Sequence, residues 1–131
     1  MLTKILVSFA GLSTIGFGIW HFFVPGIYKW YSYIQSGAEE LIAAVRATNV
    51  FFSLCLVLFG IADLIFVFAG NRFALLIMLC LSCVLWLVRI IMQLKYPQGS
   101  INPALQYGML AAFIIIFLCF AISLILTICT K

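Results

Sequence analysis

Charge is what this sequence has least of. Only 8% of its residues are Asp, Glu, Lys or Arg, against about 25% in soluble domains. The acidic residues number three (Glu39, Glu40 and Asp63), and His21 is the single histidine. Each shortage excludes something. The seven Lys and Arg are scattered without a basic run, so nucleic acid finds no electrostatic footprint and is not an expected partner. One histidine cannot furnish a His-rich haem or metal site within one chain, so no metal ligands are assigned. A Ser-His-Asp set cannot be assembled, because His21 and Asp63 fall near opposite membrane faces. A Gly-rich phosphate loop is also missing. No catalytic residue is assigned, and an enzyme is the less favoured reading, one in which His21 would act as an acid–base group on a lipid-like substrate.

Apolar residues fill the space that charge leaves. They make up 67% of the chain. No soluble packing could hide so much apolar surface in so short a chain, so the solvent must be lipid. The expected class is all-α, an integral membrane four-helix bundle, with residues 1–131 forming one domain. The first apolar run is not a signal peptide. It continues for about 20 residues and ends in Trp20-His21-Phe22-Phe23, whereas a cleavable h-region is about 7–15 residues long and ends in small ones. The five cysteines (Cys55, Cys80, Cys83, Cys119 and Cys129) all lie in apolar runs, so they do not form a secreted disulfide framework. Cys80 and Cys83 make a C-x-x-C, but two turns inside a span among apolar residues, which reads as core packing.

Span one is expected from Thr3 to Val24, stopped by Pro25-Gly26, since proline disfavours helical geometry in the residue before it. Gly11, Thr14, Gly18 and His21 recur at helical spacing and form a small, polar stripe suited to close packing on a neighbour. Tyr28, Trp30, Tyr31 and Tyr33 fit a headgroup-level aromatic belt, with a short interfacial helix expected there. Ser36 and Glu39 have capping-box spacing ahead of span two, Ala38 to Ala69. Gly70-Asn71 is a tight turn, with Asn71 placed to cap span three, Arg72 to Leu94. Asn102 as N-cap and Pro103 at the first helical position open span four, which runs to Cys129. Asp63 and Arg72 flank the turn and are expected to form an ion pair.

Four spans put both termini and the 70–71 turn on one face, the terminal face. Loops 25–37 and 95–102 lie on the other, the loop face. Lys4, Arg72 and Lys131 sit on the terminal face; Lys29 and Lys95, with Arg46 and Arg89 nearby, sit on the loop face. The positive-inside balance is therefore close. It leans to cytoplasmic termini, and dual insertion stays open.

Laid antiparallel, the spans gather polar residues at the loop face. His21 ends span one, Arg46 and Asn49 begin span two, Trp86, Arg89 and Gln93 end span three, and Gln106 and Tyr107 begin span four. Arg46, Asn49 and Ser53 share one helix face, as do Ser82, Trp86, Arg89 and Gln93. Intramembrane ionisable groups usually face the bundle interior or a wet cavity. The expected site is a polar pocket of His21, Arg46, Asn49, Trp86, Arg89, Gln93, Gln106 and Tyr107. It would suit a lipid headgroup, a quinone carbonyl or another anionic or amphipathic ligand. A second reading stands beside it. Both arginines lie only about two turns from the interface, roughly 9–12 Å, within reach of snorkelling.

The stretch Gly16-Phe-Gly-Ile-Trp-His21-Phe-Phe-Val-Pro25-Gly-Ile-Tyr28, with its Gly-x-x-x-x-His-Phe-x-x-Pro pattern, resembles the end of the first span in DoxX-like membrane proteins. The resemblance implies a small four-helix protein of the bacterial inner membrane, accessory in character, in a family some of whose members associate with quinone-linked oxidation complexes. It supplies no catalytic residue. The expected function is therefore to bind a lipid, a quinone or another amphipathic ligand, or to serve as an accessory subunit of a membrane complex. Membrane lipids and a homo-oligomer or larger complex are the expected partners. The alternative is an oligomeric channel or transporter, including an antiparallel dimer.

Overall fold

The computed structural model describes residues 1–100 and 102–130. It is all-helical across these residues, with four helices long and apolar enough to cross a membrane: α1 Leu2–Ile27, α2 Glu39–Ala69, α3 Arg72–Lys95 and α4 Pro103–Cys129. The chain is a multi-pass four-helix bundle, turned outward to lipid. Phe9, Leu58, Phe68 and Ile125 are each more than half exposed. The interior holds Trp86, Phe113 and Phe120 beside fully buried Thr14, Ser53, Asp63 and Ser123. Lipid is as apolar as leucine, so helices here are joined by close packing and hydrogen bonds rather than by a hydrophobic drive.

The glycine stripe explains the tightest pairing, α1 against α2. Gly11, Thr14, Gly18 and His21 are all buried. A Cβ on Gly60 would sit 2.6 Å from the Gly11 carbonyl, and one on Gly18 would sit 2.9 Å from the Ser53 carbonyl. The two backbones touch where only hydrogen fits. On its other side α1 packs against α4, which pairs in turn with α3. Contact between α2 and α3 is the sparsest of the four seams.

Three local expectations change. Pro25 does not stop α1, which continues to Ile27, and Tyr28 N–H still reaches the Val24 carbonyl at 3.0 Å. Proline at this position removes one bond only, from its own missing N–H to the His21 carbonyl four residues back. Asn49 of α2 replaces that donor, its Nδ2 lying 3.1 Å from the His21 carbonyl oxygen. Second, the Ser36–Glu39 capping box does not form. The N-cap is Ala38 without a side-chain bond, and Ser36 lies outside the helix. Third, Asp63 and Arg72 do not pair. Ser82 Oγ donates to the Asp63 carboxylate, lying 3.1 and 3.0 Å from its two oxygens. Arg72 reaches across to α4 and donates to the Thr127 and Ile128 carbonyls at 3.0 and 3.2 Å. Those carbonyls lie in the last turn of α4, at the negative end of the helix dipole. Asp63 lies six residues before the end of α2, whereas Arg72 is the first residue of α3, which leaves about 9 Å of depth between them along the helix.

The other caps follow the sequence. Gly70 takes the left-handed conformation, φ 73°, that ends α2. Asn71 caps Ala74 N–H at 3.1 Å, and Asn102 caps Ala104 and Leu105. Between α1 and α2 the aromatic belt forms a single 3-10 turn, Trp30–Tyr33. Lys131, counted among the terminal-face cations, lies outside the described residues.

Candidate functional site

A cavity of about 840 Å³ opens between α2 and α3 in the loop-face half of the bundle. Its walls come from Leu41, Val45, Phe52 and Leu56 of α2 and from Val84, Leu85, Val88 and Met92 of α3. Phe17 and His21 of α1 close its back, and Trp30 and Gln98 lie at its rim. The sparse α2–α3 seam is the physical reason for it. The Gly70-Asn71 turn holds these helices together at the terminal face, and beyond the Asp63–Ser82 bond little does.

His21 is buried near the end of α1 by rings on several sides. Phe52 lies edge-on with centroids 4.8 Å apart, Phe17 at 5.8 Å and Trp30 at 6.3 Å. Its Nδ1 is 3.4 Å from Ser53 Oγ. Ser53 spends its own proton on the Asn49 carbonyl at 2.7 Å. Only its lone pairs remain for the imidazole, so Nδ1 carries the hydrogen and, in the neutral ring, Nε2 is an acceptor. Asn49 is 6% exposed. With Nδ2 committed to the His21 carbonyl, its Oδ1 faces away from that bond and has no partner. The network fixes this amide orientation, because a carbonyl needs the N–H and not the oxygen.

Arg89 is half-buried. Its guanidinium lies over the Phe113 ring, 4.5 Å from the centroid, and 5.9 Å from that of Phe17. One nitrogen donates to Gln98 Oε1 at 2.8 Å. Among the described residues no carboxylate meets it, and Glu39 and Glu40 are exposed. Trp86 anchors the floor from the bundle centre, its Nε1 donating to Thr14 Oγ1 at 3.3 Å. Its ring meets those of Phe17 and Phe113 at a tilt, with centroids 5.9 and 5.5 Å away.

The structure brings His21, Asn49, Trp86 and Arg89 together around this cavity. It does not bring the other four expected residues. Arg46 is exposed and lies over the Tyr31 ring at 5.3 Å, directed at the interfacial belt. A cation in this first part of α2 opposes the dipole, and the aromatic face offers an outward partner. Gln93 is buried but outside the lining, donating to the Gln98 carbonyl at 3.0 Å with its Oε1 unpartnered. Gln106 and Tyr107 lie on outer parts of α4 away from the cavity, and Tyr107 is 65% exposed. Sequence reasoning missed Gln98 and Trp30 as members of the site. Gln98 sat in a polar loop with nothing to mark it, and Trp30 was absorbed into the belt.

Compared with protein-family models, with curated proteins and with solved structures, the chain matches none. The reading of its function therefore rests on this geometry.

Proposed function

We propose that this protein binds an amphipathic ligand taken from the bilayer into the cavity between α2 and α3. One observation carries the reading. An apolar cavity of about 840 Å³ meets a half-buried guanidinium that has no carboxylate partner among the described residues. Ligand pockets of roughly 300–1,000 Å³ are typically apolar with a few convergent polar groups. A half-buried cation met by two aromatic rings and one amide can accept a further partner on its open side. A lipid headgroup or a quinone carbonyl would supply it, as the resemblance to DoxX-like proteins also suggests. The same resemblance argues for the inner membrane of a bacterium, for cytoplasmic termini by the slight charge bias, and for an accessory place in a larger membrane complex or a homo-oligomer.

Native mass spectrometry of protein purified in a mild detergent tests this. Wild type should carry a bound small molecule. Ala44→Trp places a bulky ring in the lining from an exposed position and should empty the site while leaving the bundle folded. Full ligand content in a folded Ala44→Trp protein would sink the reading.

A further inference from the structure

We propose that Asp63 and Ser82 form a proton-binding site inside the bundle, with Asp63 carried as the neutral acid and its proton released as α2 and α3 part. Neither residue lines the cavity, and the site does not depend on what the cavity holds.

Asp63 is fully buried, and Ser82 is 1% exposed. An ionised carboxylate taken out of water costs far more than one hydrogen bond returns. A buried acid is therefore neutral unless a cation meets it. Among the described residues, none does. Arg72, the cation nearest in sequence, donates to the Thr127 and Ile128 carbonyls of α4. Lys4 lies over the ring of exposed Phe68 at 5.5 Å. At this end of the bundle α1 buries Val7, Ala10 and Gly11, and α4 buries Phe120, Ser123 and Thr127, none of which titrates. On α3 the titratable neighbours are Cys83 and, next to it, Cys80, thiols that bring no positive charge.

The behaviour of Ser82 is the second observation. The other buried serines and threonines, Thr14, Ser53, Ser123 and Thr127, each donate to the carbonyl four residues back. Ser82 instead turns its hydroxyl to another helix. Its Oγ lies 3.1 Å from one Asp63 oxygen and 3.0 Å from the other. A hydroxyl has one proton to give and lone pairs to accept with, so as a donor it fully serves only one of those oxygens. With a proton on Asp63, both contacts become hydrogen bonds. Ser82 Oγ–H donates to the carbonyl oxygen, and the acid O–H donates to Ser82 Oγ. The near-equal distances fit this reciprocal pair.

The pair is also the only side-chain hydrogen bond from α2 to α3 among the described residues. Losing the proton removes one of its two bonds and leaves a charge that needs water. The cavity wall at Val84 starts two residues past Ser82, about 3 Å along α3, so water reaches the acid when this seam opens.

Infrared spectroscopy of the protein in lipid tests the bound proton. Asp63 is the single aspartate, so aspartate carrying carbon-13 in its side-chain carboxyl marks it without a variant. At neutral pH the label should shift the C=O band of a carboxylic acid, which a carboxylate lacks. Ser82→Ala should keep that band and raise its frequency, because the C=O loses its donor. The link to the seam is read from unfolding in dodecyl sulfate, wild type against Asp63→Asn, whose amide mimics the neutral acid and does not titrate. As pH rises, wild type should lose stability relative to this variant, by up to about tenfold in the folding equilibrium per pH unit. The loss starts at about pH 4, where an unfolded aspartate gives up its proton, and ends where the folded one does. A labelled carboxylate band at neutral pH would overturn the proposal, whether or not Asp63→Asn folds. A band unmoved by Ser82→Ala would overturn the reciprocal pair, and a stability difference constant with pH would overturn the link between proton and seam.

Discussion

The bond between Asn49 and the His21 carbonyl should be worth keeping only because of Pro25. Proline leaves that carbonyl without its helical donor, and Asn49 Nδ2 supplies one from the neighbouring helix at 3.1 Å. Asn49→Leu should therefore be costly in the native background. Orphaning a buried carbonyl costs about 1–3 kcal/mol. Interhelical hydrogen bonds measured in lipid average about 0.6 kcal/mol and reach about 1.7, because separated helices find other partners. Here the separated helix still carries Pro25 and still lacks a donor, which pushes the value toward the upper end. We expect a loss of about 1.5 kcal/mol.

Pro25→Ala restores an N–H that can reach the His21 carbonyl within α1. In that background Asn49→Leu should cost less than about 0.5 kcal/mol, or even stabilise, since it also removes the unpartnered Oδ1. The double-mutant cycle then gives a coupling of at least about 1 kcal/mol, a factor of about five or more in the folding equilibrium. Unfolding in mixed micelles with rising dodecyl sulfate, followed by the fluorescence of Trp20, Trp30 and Trp86, measures it. Equal costs in the two backgrounds, within about 0.3 kcal/mol, would refute the link between the proline and the asparagine.

The α1–α2 contact can be probed with alanine alone. Gly60→Ala drives a methyl to 2.6 Å from the Gly11 carbonyl and should destabilise by about 1–3 kcal/mol, while Gly16→Ala, where a Cβ meets nothing within 4 Å, should be neutral or slightly stabilising in the same titration. Ser82→Ala strips the hydroxyl donor from fully buried Asp63; a loss of about 1–3 kcal/mol is expected, and an unchanged midpoint would show that the carboxyl has another partner. Arg46→Gln should alter stability by no more than about 0.5 kcal/mol and leave ligand content intact, so loss of ligand in this variant would return Arg46 to the site.

The four spans and most of their ends were legible because lipid leaves the sequence few options. Length, apolar runs and the cap residues Gly70, Asn71 and Asn102 all point the same way. The small-residue stripe of α1 was legible for the same reason, since glycine at helical spacing in lipid has one common use. The site was only half legible. Periodicity places Arg46 and Asn49 on one general face three residues apart, but a hundred-degree step per residue leaves about 60° between them. Asn49 falls inside that divide and Arg46 outside it. Depth reasoning grouped Gln106 and Tyr107 with the cluster by level alone, and level says nothing about rotation. The role of Asn49 was missed because Pro25 reads locally as a helix stop. Its real effect is to create a demand that another helix meets.

That demand also bears on why the cavity sits where it does. Two sets of contacts compete for α2. The Gly70-Asn71 turn ties its end to α3, whereas the glycine contacts at Gly11, Gly18 and Gly60 press its length against α1. Asn49 extends the second set to the loop face, bonding α2 to α1 above the last glycine contact. Meanwhile α3 is drawn to α4 and sends Trp86 across to Thr14 at the bundle centre. Among the described residues, nothing comparable joins α2 to α3 beyond Asp63 and Ser82. Filling that gap with apolar side chains would have closed the bundle. The chain instead places Ala44 and Thr48 on the α2 wall, small where a sealed seam would need bulk, and Arg89 opposite on α3. A bundle selected for packing alone has no use for a cation without a carboxylate beside small residues, and it is this pairing that argues for an occupant rather than a packing fault.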